Sequence, residues 1–107
     1  MAETPAEVFE QMKANIKPEK VQGINATYQW DITGDNGGKW YATFSDADGA
    51  KIEQGQAESP NITITVAGQD WVDIVNGKLN PQMAFLTGKL KIQGDMTLAM
   101  KLQSITG

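Results

Sequence analysis

Asp46 and Asp48, two residues apart and followed by Gly49, are spaced like the first two ligands of a calcium loop. Such a loop needs further oxygen ligands and a glutamate at its twelfth position, which residues 50 to 57 do not provide, so the segment reads as a hairpin turn. Asp70 and Asp73 stand three apart, a helical spacing that sets two carboxylates on one face for acid and base work. They fall on the polar stripe of that helix, where solvated charges belong. The run from Gly34 to Gly38 has the glycines to cradle a phosphate, but no helix opens behind it to supply a dipole, and it too reads as a turn. The chain has no histidine and no cysteine. That removes the commonest general base and zinc ligand, every thiolate site and disulfide, and any serine or cysteine nucleophile activated by histidine. An enzyme built on this chain would depend on carboxylates, lysine or tyrosine alone; no catalytic residue, metal or cofactor is expected.

The stretch from Asn76 to Gln103 is more informative, because its apolar residues exceed what packing requires. Asn80 and Pro81 open a helix of roughly two turns that stops at Gly88. Leu90 and Ile92 alternate with Lys89, Lys91 and Gln93 as in a strand with one wet face, and Gly94 and Asp95 break it and cap a last helix from Met96. On that helix Met96, Ala99 and Met100 fall on one side, Leu98, Leu102 and Ile105 on a second, and only Thr97, Lys101 and Ser104 form a polar stripe. An apolar arc of roughly 200° is wider than contact with one sheet demands. The helix is either wedged between two other elements of a small core, or its surplus meets a partner chain or an apolar ligand.

Gln103 projects into this arc, and a buried amide needs a partner. It bonds backbone near a fraying end, or it is the polar anchor of an apolar cavity. Met83, Met96 and Met100 suit the lining of a site for ligands of variable shape, although methionine is also ordinary core filler. Lys78, Lys89, Lys91 and Lys101 concentrate in the last third and could meet an anionic headgroup, a coenzyme tail or, transiently, a membrane surface; scattered solvated lysines are the plainer alternative.

The elements that position these residues follow from periodicity. Thr4, Pro5 and Glu7 open a helix carrying Val8, Phe9, Met12 and Ile16. Ile24 to Thr33 alternate strictly as a strand with Trp30 facing the helices, and a second strand presents Trp40, Ala42 and Phe44. A third, from Ala50 to about Ala57, is polar as edge strands often are; a fourth, Asn61 to Val66, offers Ile62, Ile64 and Val66 to one face. Trp71, Val72, Ile74 and Val75 form an amphipathic helix ending at Gly77. The expected fold is α+β: a five-stranded, mostly antiparallel sheet covered on one face by about four helices.

A length of 107 residues suits one domain, 1–107. A net charge of −4 with nine lysines and no arginine argues against nucleic acid. Without a signal peptide or an apolar run of about 18 residues, a soluble, cytoplasmic protein is expected.

The run from Gly77 to Phe85, continuing through Gly88 to Met96 and Leu98 to Gln103, strongly resembles the signature of the sterol carrier protein type 2 family. The amino-terminal half is similar more loosely, through Val8 and Phe9, the strand from Ala26 to Thr33, and Gly38-Lys39-Trp40. The resemblance implies a five-stranded sheet with helices on one side and an apolar tunnel between the layers. It further implies binding and transfer, without catalysis, of fatty acids, fatty acyl-CoA, phospholipids or sterols. Carried over by position, the lipid-binding residues are Trp30, Met83, Leu86, Leu90, Met96, Ala99, Met100 and Gln103. The chain ends Ile105-Thr106-Gly107, not in the Ser-Lys-Leu type of tripeptide found on peroxisomal relatives. Peroxisomal targeting is therefore not expected, and the carrier is expected to be a monomer. The alternative is an interaction or dimerisation module that uses the wide apolar face of the last helix.

Overall fold

A computed structural model of the chain describes residues 3–17, 19 and 21–106, with residues 103–106 described through their backbone only. Helix α1 spans Pro5–Asn15, and the hydroxyl of Thr4 caps it, accepting from the Glu7 N–H at 3.3 Å. The same hydroxyl donates to Glu7 Oε1 at 3.1 Å, so the glutamate closes the cap through the threonine side chain. Val8, Phe9 and Met12, three and four residues apart, form its buried face.

Strands β1 (Ala26–Thr33), β2 (Gly38–Ser45), β3 (Gly49–Gln54), β4 (Ile62–Ala67) and β5 (Leu90–Gly94) make one sheet in the order β3-β2-β1-β4-β5. Three pairings are antiparallel, and β1 with β4 is parallel. The parallel pair arises because the chain leaves the edge strand β3 and crosses to the far side of β1 before β4 begins. Asn61 fixes that register: its Oδ1 accepts from the Thr27 N–H at 2.8 Å and its own N–H donates to the Thr27 carbonyl at 2.9 Å. Strict alternation then puts Tyr28, Trp30, Ile32, Ala42, Phe44, Ile62, Ile64 and Val66 on one buried face.

Helices α2 (Gly68–Val75), α3 (Pro81–Leu86) and α4 (Met96–Thr106) complete the order expected from the sequence. The core between sheet and helices is aromatic. Phe9 stacks on Trp40 at 4.7 Å and meets Trp30 edge-on at 5.3 Å, and Trp71 of α2 lies 5.8 Å from Trp30.

The opposite face departs from expectation at one residue. Gln29 is only 1% exposed, although it alternates with the core positions. Strand β3 stops at Gln54, three residues short of Ala57, and the following segment turns over this face. Gln29 holds it there, with Nε2 donating to the Gly55 carbonyl at 3.2 Å and Oε1 accepting from the Ala57 N–H at 2.8 Å. The buried amide is thus satisfied.

Candidate functional site

Of the four carboxylates with catalytic or metal-binding spacing, Asp46, Asp48 and Asp73 have structural partners. Asp46 Oδ1 accepts from the Gly23 N–H at 2.6 Å and Oδ2 from Asn25 Nδ2 at 3.4 Å, which pins the turn before β1. Asp48 lies 3.9 Å from Lys51 on the surface. Asp73 accepts from Gln69 along α2 at 2.9 Å. Among the described residues no three acidic, histidine or cysteine side chains come together as a metal site.

The space that these elements leave lies between β4, β5 and helices α2, α3 and α4. Asn80 Oδ1 accepts from the Gln82 and Met83 N–H groups at 2.8 and 3.2 Å, which starts α3 at Pro81 and aims its face inward. Asp95 caps α4 by accepting from the Thr97 N–H at 2.9 Å, and the Asp95 N–H donates to the Asn61 carbonyl at 3.2 Å. The buried Tyr28 hydroxyl reaches from the sheet to the Leu98 carbonyl at 2.6 Å. Burial, and then the nearby Asp95 carboxylate, push the Tyr28 hydroxyl up to about 12, so it stays a donor. These bonds fix the first turn of α4 against β1 and β4, and the rest of the helix stands over a cavity.

That cavity has a volume of about 660 Å³, within the roughly 300–1,000 Å³ of small-ligand sites. Ile64, Trp71, Ile74, Leu90 and Ile92 form the sheet side and inner wall. Phe85 and Leu86 of α3, with Met96, Ala99, Met100 and Leu102 of α4, form the outer wall. Among the described residues, only Gln82 brings an amide to the lining and only Trp71 an indole N–H, and that N–H is buried without a partner among them. Among the described residues no charged side chain lines the cavity, so the chemistry of this wall is that of an apolar host.

Of the residues named from the resemblance, Leu86, Leu90, Met96, Ala99 and Met100 are brought together on this wall. Trp30 is not on it. Wholly buried between Tyr28, Phe9 and Trp71, it belongs to the core behind the cavity, because Trp71 stands between it and the space. Met83 is not on it either. Pro81, Gln82, Phe85 and Leu86 cover one arc of α3, and at 100° per residue Met83 falls outside that arc and is 55% exposed. The Gln103 side chain lies outside the described residues. The sequence reading missed Phe85, Leu102, Ile64, Ile92 and the α2 face of Trp71, Ile74 and Val75 as wall residues. For Ile64 and Ile92 the sequence signal is alternation, which gives them the same side of their strands as Val66 and Leu90, and the structure pairs Ile64 with Ile92 and Val66 with Leu90.

A one-sided sheet, four helices and an apolar cavity between the layers define a small-ligand-binding α+β domain. The profile of the SCP-2 sterol transfer family matches residues 6–107. Hydroxysteroid dehydrogenase-like protein 2 of Rattus norvegicus is 35% identical over 100 residues, covering 92% of this chain and 19% of that protein. The human protein of the same name is 32% identical over 92% of this chain and 24% of its own length. The chain thus spans about a fifth to a quarter of these relatives. The sterol carrier protein domain 2 of Helicoverpa armigera superposes with a TM-score of 0.74 at 33% identity, covering 99% of this chain and 91% of that one. Palmitated SCP2L2 of Aedes aegypti superposes with a TM-score of 0.77 at 27% identity, covering 94% and 91%. The chain belongs to the SCP-2 sterol transfer family, and lipid binding and transfer is the general function that this membership supports.

Proposed function

We propose that residues 1–107 act as one monomeric, non-catalytic lipid-carrier domain that holds the acyl chain of a fatty acid or fatty acyl-CoA between α3, α4 and the sheet. The observation that carries this reading is the cavity of about 660 Å³ with no charged side chain on its wall among the described residues. At roughly 0.8 kcal/mol per buried CH₂, a dozen methylenes offer about 10 kcal/mol before the costs of ordering and association, enough for useful affinity. A palmitated relative of the same fold supports an acyl cargo. Met96 and Met100 give the wall an adaptable surface that follows a flexible chain.

The test is Met100→Asp. Met100 is largely exposed on the outside and lines the cavity on the inside, so a carboxylate there leaves the sheet folded but sets a charge where the acyl chain packs. Titration with palmitic acid should show affinity lowered by about a hundredfold or more, a loss on the order of 3 kcal/mol. Unchanged affinity in a folded variant contradicts the site.

A further inference from the structure

The chain has no cysteine, so its thioethers are the side chains that a peroxide attacks most readily. Four of its five methionines are described, and they fall into three settings. Met12 is packed in the core and only 5% exposed. Met83 is more than half exposed but lies off the cavity wall. Met96 and Met100, one turn apart on α4, are 47% and 74% exposed and also line the cavity. These two side chains therefore belong to both surfaces: water reaches them from outside, and an acyl chain in the cavity packs against them.

We propose that Met96 and Met100 form a peroxide-sensitive modification site that controls carriage, their conversion to sulfoxides releasing the acyl cargo. The proposal rests on the carrier reading. In the step, the thioether sulfur attacks one oxygen of hydrogen peroxide, the O–O bond breaks and an S–O bond forms. The sulfur gives up two electrons, and the departing oxygen leaves as water with both peroxide protons. Reduction back to the thioether takes two electrons and two protons from a pair of thiols, as a methionine sulfoxide reductase uses them, and returns the oxygen as water.

A sulfoxide is polar, and the empty and loaded domains treat it differently. In the empty domain both positions stand open to water, so the new S–O dipole is solvated at little cost to the fold. An acyl chain packed on the same wall strips that water away, and its methylenes return no hydrogen bond. Oxidation at Met96 and Met100 thus acts on binding. The covered Met12, where a sulfoxide would disrupt the core, is spared.

Hydrogen peroxide added to the full chain, with and without bound palmitic acid, tests this, with each oxygen gained located by peptide mass spectrometry. Met83, Met96 and Met100 should gain oxygen well before Met12. Bound palmitic acid should slow Met96 and Met100 and leave Met83 unchanged, since the cargo covers only the two on the wall. The oxidised chain should bind palmitic acid about ten- to a hundredfold more weakly, with an unchanged circular dichroism spectrum. Methionine sulfoxide reductases with dithiothreitol should restore the affinity. Met83→Leu should lose affinity on oxidation as the unmodified chain does. Leucine keeps the volume of methionine without its sulfur, so in Met96→Leu with Met100→Leu peroxide should not lower the affinity that the variant itself has. Full affinity in a chain oxidised at Met96 and Met100 overturns the proposal. So does a loss that persists in the double variant, which would place the sensitive group elsewhere. Palmitic acid uptake by the untreated chain separates the two claims. Uptake that oxidation does not weaken overturns the peroxide control and leaves carriage standing; no uptake before oxidation overturns carriage, and the control with it.

Discussion

Tyr28 does at one position what the fold requires of the whole site, since its hydroxyl ties the start of α4 to the central strand while the rest of its ring fills the core. Removing the hydroxyl leaves the Leu98 carbonyl without this donor, so Tyr28→Phe should cost about 1–2 kcal/mol in urea unfolding. Burial of that hydroxyl, and then the nearby Asp95 carboxylate, set a pH dependence. The folded protein holds the Tyr28 proton more tightly than the unfolded chain does, with the group raised from 10.0 to about 12. Its contribution is therefore fully present below pH 10 and is lost as pH rises from there to about 12. Urea melts across that window should lose roughly 3 kcal/mol in the unmodified protein relative to Tyr28→Phe. Parallel curves for the two proteins contradict the assignment. Trp30 belongs to this scale as well: an indole wholly buried among aromatic rings is a packing residue, and its loss in Trp30→Ala should cost about 3–5 kcal/mol of stability.

Among the elements, α3 is the shortest helix and the one most dependent on its cap. Six residues cannot sustain a helix alone, so Asn80 and the packing of Ala84 hold it in place. Asn80→Ala should cost about 1 kcal/mol and speed amide exchange along Gln82 to Leu86 before the sheet is affected. At the other end of β5, Gly94 sits at a φ of 112°, and a Cβ there would collide with the Asn61 carbonyl oxygen and press on Ile62. Gly94→Ala should destabilise well beyond the roughly 1 kcal/mol of an open glycine turn such as Gly88, because backbone cannot move aside as a side chain can.

These elements were largely legible in the sequence. Caps at Thr4, Asn80 and Asp95, stops at Gly77 and Gly88, and strict alternation from Ala26 to Thr33 are local signals, and the structure puts helices and strands where they stand. The crossing that makes β4 parallel to β1 was not legible, since it depends on Asn61 finding Thr27, 34 residues earlier. Neither was the burial of Gln29 under Gly55 and Ala57. The cavity was legible in part: the excess of apolar residues on α4 was visible, but which side of α3 faces it depends on packing, and that placed Phe85 on the wall and Met83 off it.

Over the whole molecule, the layers divide the work. The sheet with α1 and α2 supplies a closed aromatic core, and α3, β5 and α4 supply a wall with an exposed apolar rim. No described helix is long and apolar enough to cross a membrane. A host whose wall has space to fill should gain stability from its guest. Palmitic acid at a hundred times its dissociation constant should raise unfolding stability by about 2.7 kcal/mol, and Met100→Asp should show no such gain. Thermal melts with and without the fatty acid check this.

Native mass spectrometry tests the carrier account most directly, first on the protein as purified and then after addition of palmitic acid and palmitoyl-CoA. The account predicts one acyl lipid per chain, either already present or taken up on addition, released on mild denaturation and identified by its mass. A chain that stays ligand-free and refuses both lipids while folded contradicts it, and would assign the apolar rim of α3 and α4 to a protein interface.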